Sequence, residues 1–204
     1  MKKFALNKVW RKTSQCLLPD LRPLPINGNY DIYPSFKLDD NQIFEGFEAL
    51  AGLFIKHSII IVDGYAGVFY GHFREKLDGY LKKQGVRTSW RYTSDFFKPE
   101  KIIDEMISPF LGGDDPLFGK RTDLILEDFF DLPLLNNVAP DPEADINILV
   151  GPGASLSGWK GLKVYIDIPK NEIQFRSRAE SITNLGASVP SDPKEMYKRF
   201  YFID

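Results

Sequence analysis

Residues 58–73 read SIIIVDGYAGVFYGHF: an apolar run, an aspartate, a glycine-rich turn, then residues suited to a helix. A strand feeding such a turn at a helix start lets backbone amides and the helix dipole cradle phosphate groups. Gly64, Tyr65, Ala66, Gly67, Gly71 and His72 are therefore the candidate phosphate-binding residues. Phosphoryl chemistry needs more than glycines. In the pattern G-x-x-x-x-G-K-[ST], the lysine neutralises phosphoryl oxygens and the hydroxyl holds magnesium. With Gly64 as the first glycine, the later key positions are Phe69, Tyr70 and Gly71. The second glycine, the lysine and the hydroxyl are all missing. The only carboxylates offered as metal ligands are Asp63 and the remote Asp114-Asp115 pair, which reads as a solvated turn.

A second group with chemical potential is Ser94-Asp95-Phe96-Phe97-Lys98-Pro99. Asp95 is the candidate catalytic base, able to accept a proton from a substrate hydroxyl. Lys98, Lys120 or Arg121 would then have to supply the missing positive charge. Arg176 and Arg178 are the remaining candidates, because guanidinium forks match phosphate oxygens. The chain has two histidines, His57 and His72, and one cysteine, Cys16. Their spacing resembles no zinc site, and a lone cysteine excludes an internal disulfide and fits a reducing cytoplasm.

The elements that must position these residues follow from periodicity. Residues 41–55 place Ile43, Phe44, Phe47, Leu50, Leu53 and Phe54 at helical spacing. Residues 58–63 form a strand whose successive isoleucines and valine imply burial on both faces, as in a central parallel strand. A helix follows, with Phe73, Leu77, Tyr80 and Leu81 on one side and Gly85 as its stop. Residues 86–93 alternate in polarity and suit a strand nearer the sheet edge. Residues 99–111 predict a helix with proline in its first turn. Residues 122–135 are apolar without a decisive period. Strands over 146–150 and 162–168, a short helical stretch over 154–158, and helices over 169–182 and from 193 complete the chain. Strand, turn and helix in repetition predict a three-layer α/β fold with a mainly parallel sheet. Ligands in such sheets bind beyond the carboxyl ends of the strands, which here means the loops at 63–71, 94–98 and 151–155. Residues 1–40, rich in turn formers, read as an extended N-terminal arm ahead of a domain over 41–204.

Bulk properties narrow the function classes. A net charge of −2 gives no electrostatic case for nucleic-acid binding; the basic cluster Lys2, Lys3, Lys8, Arg11 and Lys12 reads as a solvated terminus. No apolar run reaches the roughly 18 residues needed to span a bilayer, and a cytoplasmic location is expected.

The order of these segments resembles the uridine kinase branch of P-loop kinases over roughly residues 58–180. In that family a first strand leads into the phosphate loop. A second strand ends in an aspartate followed by aromatics and Lys-Pro, as at Asp95–Pro99, and a later helix carries an arginine pair where Arg176 and Arg178 fall. The resemblance implies a P-loop kinase-like fold, ATP and magnesium as cofactors of an active member, and Asp95 as its base. The departures are chemical, and a Glu-Gly step of the family is replaced by Val150-Gly151-Pro152-Gly153. The segments VDGYAGVFYGHFREKL, IPKNEIQFRSRA and MYKRFYFID also resemble the N-terminal part of bacterial proteins related to class I mannose-6-phosphate isomerase. That implies a front module preceding a metal-dependent cupin domain, whose zinc site lies outside these residues.

Three functions are consistent with the residues. One is a degenerate kinase-like module that binds a phosphorylated small molecule (a sugar phosphate or nucleotide) or serves as a regulatory or scaffold domain. Another is an active ATP-dependent small-molecule kinase. The last is an interaction domain, with Phe200, Tyr201 and Phe202 as an exposed apolar patch for a following domain or a second copy.

Overall fold

The computed structural model describes residues 10–11, 28, 30, 37–114 and 119–204. Most of the expected arm, including Lys2, Lys3, Lys8, Lys12 and Cys16, lies outside the described residues, as does Asp115.

The sheet has four parallel strands: β1 (Ile59–Gly64), β2 (Thr88–Tyr92), β3 (Ile146–Val150) and β4 (Leu162–Ile166), in the order β2-β3-β1-β4. The burial expected of the isoleucine run is realised. β1 and β3 occupy the centre, and every residue of β3 is buried. β2 takes an edge, in keeping with its polar alternation, and β4 takes the other.

Helices cover both faces. α1 (Gly46–Phe54) and α2 (Tyr70–Lys83) lie on one, where Ala51, Phe54, Leu77 and Leu81 pack on Ile60, Val62, Ile148 and Val150. α3 (Glu100–Ile107) and α4 (Leu132–Asn136) lie on the other, where Ile103, Ile107 and Leu135 pack with Ile61 and Leu149. α5 (Lys170–Arg178) and α6 (Pro193–Phe202) close the carboxyl end of the sheet through Ile168, Ile173, Ile182 and Met196, which pack on Tyr65, Val68 and Phe69. The three-layer α/β architecture is the one the strand-and-helix alternation predicts.

Several expectations are corrected by local chemistry. The first helix starts at Gly46, not 41: Asn41 and Gly46 have φ of 64° and 84°, which breaks a helical path, and Ile43 and Phe44 are exposed. The segment 122–135, whose pattern favours neither helix nor strand, becomes a 3-10 turn, Leu126–Phe129, followed by α4. Asp128 accepts from the Ile125 amide at 2.8 Å and Asp131 from the Leu134 amide at 3.2 Å, so two aspartate caps and Pro133 keep both pieces short. The helix expected over 99–111 ends at Ile107 and passes into a 3-10 turn at Pro109. The aromatic patch at 200–202 is largely consumed by packing. Phe200 joins the interior clusters and Phe202 is half-buried, leaving Tyr201 exposed.

Candidate functional site

Because all four strands run the same way, the turn after β1, the turn after β2 and the Gly151–Gly153 turn after β3 share one end of the sheet. Asp63 joins two of them. Its Oδ1 accepts from the Gly64 amide at 2.8 Å and the Gly153 amide at 2.9 Å, and its Oδ2 accepts from the Ser155 amide at 2.9 Å. The carboxylate therefore caps the 3-10 turn Ala154–Ser157, entered through Gly153 at φ 76°. Both of its oxygens serve the backbone, which gives Asp63 a role other than the metal ligand considered from sequence.

The glycine-rich turn is closed by side chains from both flanks. A Cβ on Gly64 would lie 2.6 Å from the Ile166 carbonyl oxygen and 2.8 Å from Tyr70 Oη, so only glycine fits where β1 passes β4. Tyr70 Oη donates to the Tyr65 carbonyl at 3.2 Å. Burial, then the nearby Asp63 and Tyr165, raise the Tyr70 phenol above its ordinary range. Arg176 Nη1 donates to the Gly67 carbonyl at 2.9 Å, and its guanidinium lies over the Phe69 ring at 4.0 Å. Its Nε donates to Glu172 Oε1 at 3.0 Å, on a buried side chain. Burial lowers the Arg176 pKa, opposed by Glu172 and reinforced by Arg11. Arg176 thus reaches the turn, where it serves a carbonyl and a carboxylate. Arg178 is exposed. Gly71 and His72 are exposed in the first turn of α2, whose N-terminus carries no side-chain cap.

Beside the turn is a crevice of about 330 Å³ beyond the carboxyl ends of β1, β3 and β4. Its walls come from Asp63–Ala66, Leu124–Leu126, Tyr165 and Ile203–Asp204, with Phe129, Pro152 and Leu185 between them. Among the described residues, no lysine, arginine or histidine lines it. Tyr65 Oη donates to the Asp204 carbonyl at 2.6 Å, and burial together with Asp204 and Tyr165 pushes the Tyr65 phenol up to about 12. The Asp204 side chain is fully buried. It accepts from Asn184 Nδ2 at 2.7 Å and the Leu185 amide at 3.1 Å, with Arg199 Nε 3.8 Å away. Burial pushes its carboxyl up to about 6 against the pull of Arg199.

The expected catalytic group does not converge on this place. Asp95 is exposed in the 3-10 turn Thr93–Phe96 after edge strand β2. β3 lies between β2 and β1, so two strand spacings, about 10 Å, separate them. Lys98 faces a separate hollow of about 360 Å³ with Glu127, Asp128 and Asp131. Lys120 lies over the Phe110 ring at 5.7 Å, and Arg121 is exposed. Among the described residues, no group of three or more His, Cys, Asp or Glu side chains is placed to hold a metal ion. Sequence reasoning missed Glu172, Tyr165 and Asp204. The first sits on a helix like any solvated glutamate, and the last reaches Tyr65 across 139 residues, a separation no local pattern encodes.

Residues 46–204 match the family described as Domain of unknown function (DUF8485), and the chain belongs to that family. No curated protein and no solved structure matches the chain.

Proposed function

We propose that this member of the DUF8485 family is a binding module on a P-loop kinase-like layout, in which internal bonds have replaced phosphoryl-transfer chemistry. The observation that carries the proposal is the closure of the turn. Asp63 spends both oxygens on the Gly64, Gly153 and Ser155 amides, and Arg176 and Tyr70 bond the Gly67 and Tyr65 carbonyls. The order of elements supports the kinase-like layout, and the position of Asp95 on the far side of β3 supports the absence of phosphotransfer. The ligand lies in the crevice beside the turn, whose volume suits a small molecule. Its lining is apolar and aromatic with two carboxylates, so it favours an uncharged ligand over a phosphate.

A second reading places a phosphorylated ligand at the first turn of α2, favoured by the missing cap and by the exposure of Gly71 and His72. The likeness to the front module of mannose-6-phosphate isomerase-related proteins belongs with this reading. Thermal unfolding with ATP–magnesium, UTP, mannose 6-phosphate and inorganic phosphate separates the two. Under the main reading none of these raises the melting temperature, whereas Nile red, an uncharged apolar dye, binds one site and is lost in Leu126→Glu. A magnesium-dependent shift with ATP would overturn the proposal in favour of a working kinase. A shift with phosphate or mannose 6-phosphate that disappears in His72→Ala would favour the second reading.

A further inference from the structure

Trp10 and Arg11 lie outside the family match, which begins at residue 46, yet both make contacts on the glycine-rich turn or on the segment 172–181 that holds it. Ser181 Oγ donates to the Trp10 carbonyl at 2.8 Å. The Trp10 ring stands 5.8 Å from the Phe69 ring, and the Arg176 guanidinium lies over both, 5.7 Å from Trp10 and 4.0 Å from Phe69. Arg11 lies over the Phe175 ring at 4.7 Å, with its Nε 3.6 Å from Glu172 Oε2. Glu172 Oε1 meanwhile takes Arg176. The three charged side chains are 17 %, 13 % and 5 % exposed for Arg11, Arg176 and Glu172.

The arrangement has a physical consequence. A carboxylate this buried is costly unless its charge is balanced and its oxygens are met. Arg176 meets one oxygen of Glu172 and is committed to the Gly67 carbonyl; Arg11 brings a second positive charge beside the other oxygen. The Trp10 ring adds a second aromatic face beside the Arg176–Phe69 stack, and with it a second cation–π contact. Arg176 holds the carbonyl of Gly67, a residue at φ 96° in the middle of the turn. Any loosening of Arg176 is therefore felt there first.

We infer that Trp10 and Arg11 form a clasp, supplied from outside the family domain, that holds the glycine-rich turn in its closed form through Glu172 and Arg176. The inference rests on the turn being closed from within, as proposed above. Its test needs no ligand, so it stands or falls separately from what the crevice binds.

The experiment is amide hydrogen exchange on the full chain and on Trp10→Ala, Arg11→Ala and Arg11→Lys, comparing peptides over 64–73 and 170–180 with one over β3. Removing one such contact is expected to speed exchange at 64–73 about fivefold, with β3 unchanged. Arg11→Lys keeps the charge near Glu172 but loses the planar stack on Phe175, so it should fall between wild type and Arg11→Ala. Unchanged exchange at 64–73 in all three variants would overturn the clasp. An equal rise in β3 would also overturn it, because a clasp acts locally; the mild Arg11→Lys variant keeps that comparison decisive if Trp10→Ala fails to fold.

Discussion

Asp63 is the residue on which the account turns. In a phosphate-binding layout, a carboxylate at the end of the first strand invites a metal-binding role. Here three backbone N–H groups from two turns converge on it. Charge-assisted bonds of this kind contribute about 1.5–3 kcal/mol each when lost singly, and they are not additive. Asp63→Ala is therefore expected to lower the unfolding free energy by about 2–4 kcal/mol, read as a drop in the urea midpoint. A change under about 0.5 kcal/mol, typical of a surface substitution, would contradict the capping role. The identity of Asp63 was legible in the sequence, but its partners were not. Gly153 and Ser155 lie 90 and 92 residues away, and only the pairing of β1 with β3 brings them near. Gly64, by contrast, announces a tight place in the sequence, and the reason is the approach of the Ile166 carbonyl.

The element that gives the site its distinct electrostatics is α6. It carries Arg199 and delivers Asp204 into the crevice wall, where the carboxyl is desolvated and its pKa rises from 3.8 to about 6. A carboxyl whose folded pKa exceeds its unfolded value binds protons more tightly when folded. Its contribution to stability is complete below the unfolded pKa and is lost as pH rises through the folded one. Relative to Asp204→Asn, the wild type is thus expected to lose about 3 kcal/mol between pH 3 and pH 7, most of it between 4 and 6. Chemical denaturation across that range measures it, and a pH-independent difference would show that Asp204 remains ionised in its pairing with Arg199. Elsewhere the elements were legible to the degree that their periodicity was strong. The isoleucine run of β1, the β3 strand, apolar but for Asn147, and the Leu77–Leu81 face of α2 all appear where their patterns point. Residues 122–135 were not, because side-chain caps and a proline rather than periodicity set their structure. Asp78 was read past because two of its partners, Thr88 and Trp90, lie on β2 rather than on its own helix. It is buried on α2 and takes Lys82, Thr88 and Trp90. Burial alone would raise its carboxyl, but those three hydrogen bonds bring it below the ordinary range.

At the scale of the molecule, the fold places its loops where an α/β sheet binds ligands, yet the groups that would do phosphoryl chemistry are dispersed or engaged. Asp95 sits beyond the edge strand, Lys98 faces another hollow, Arg176 is bound to Gly67 and Glu172, and Asp63 caps a turn. The sequence exposed the missing lysine and hydroxyl because absence at fixed spacing needs no tertiary information. It could not expose the bonds of Asp63 to Gly153 and of Arg176 to Gly67, which join residues far apart in the chain. Among the described residues no helix is long and apolar enough to cross a membrane.

The most direct test of the closed turn is a proton–nitrogen NMR titration of the full chain with ATP, with and without magnesium, following the backbone amides of residues 64–71. The account predicts that the Gly64, Ala66 and Gly67 signals stay in place at millimolar nucleotide. Magnesium-dependent, saturable movement of those three amides would mean that the turn still receives phosphate, and would contradict the account.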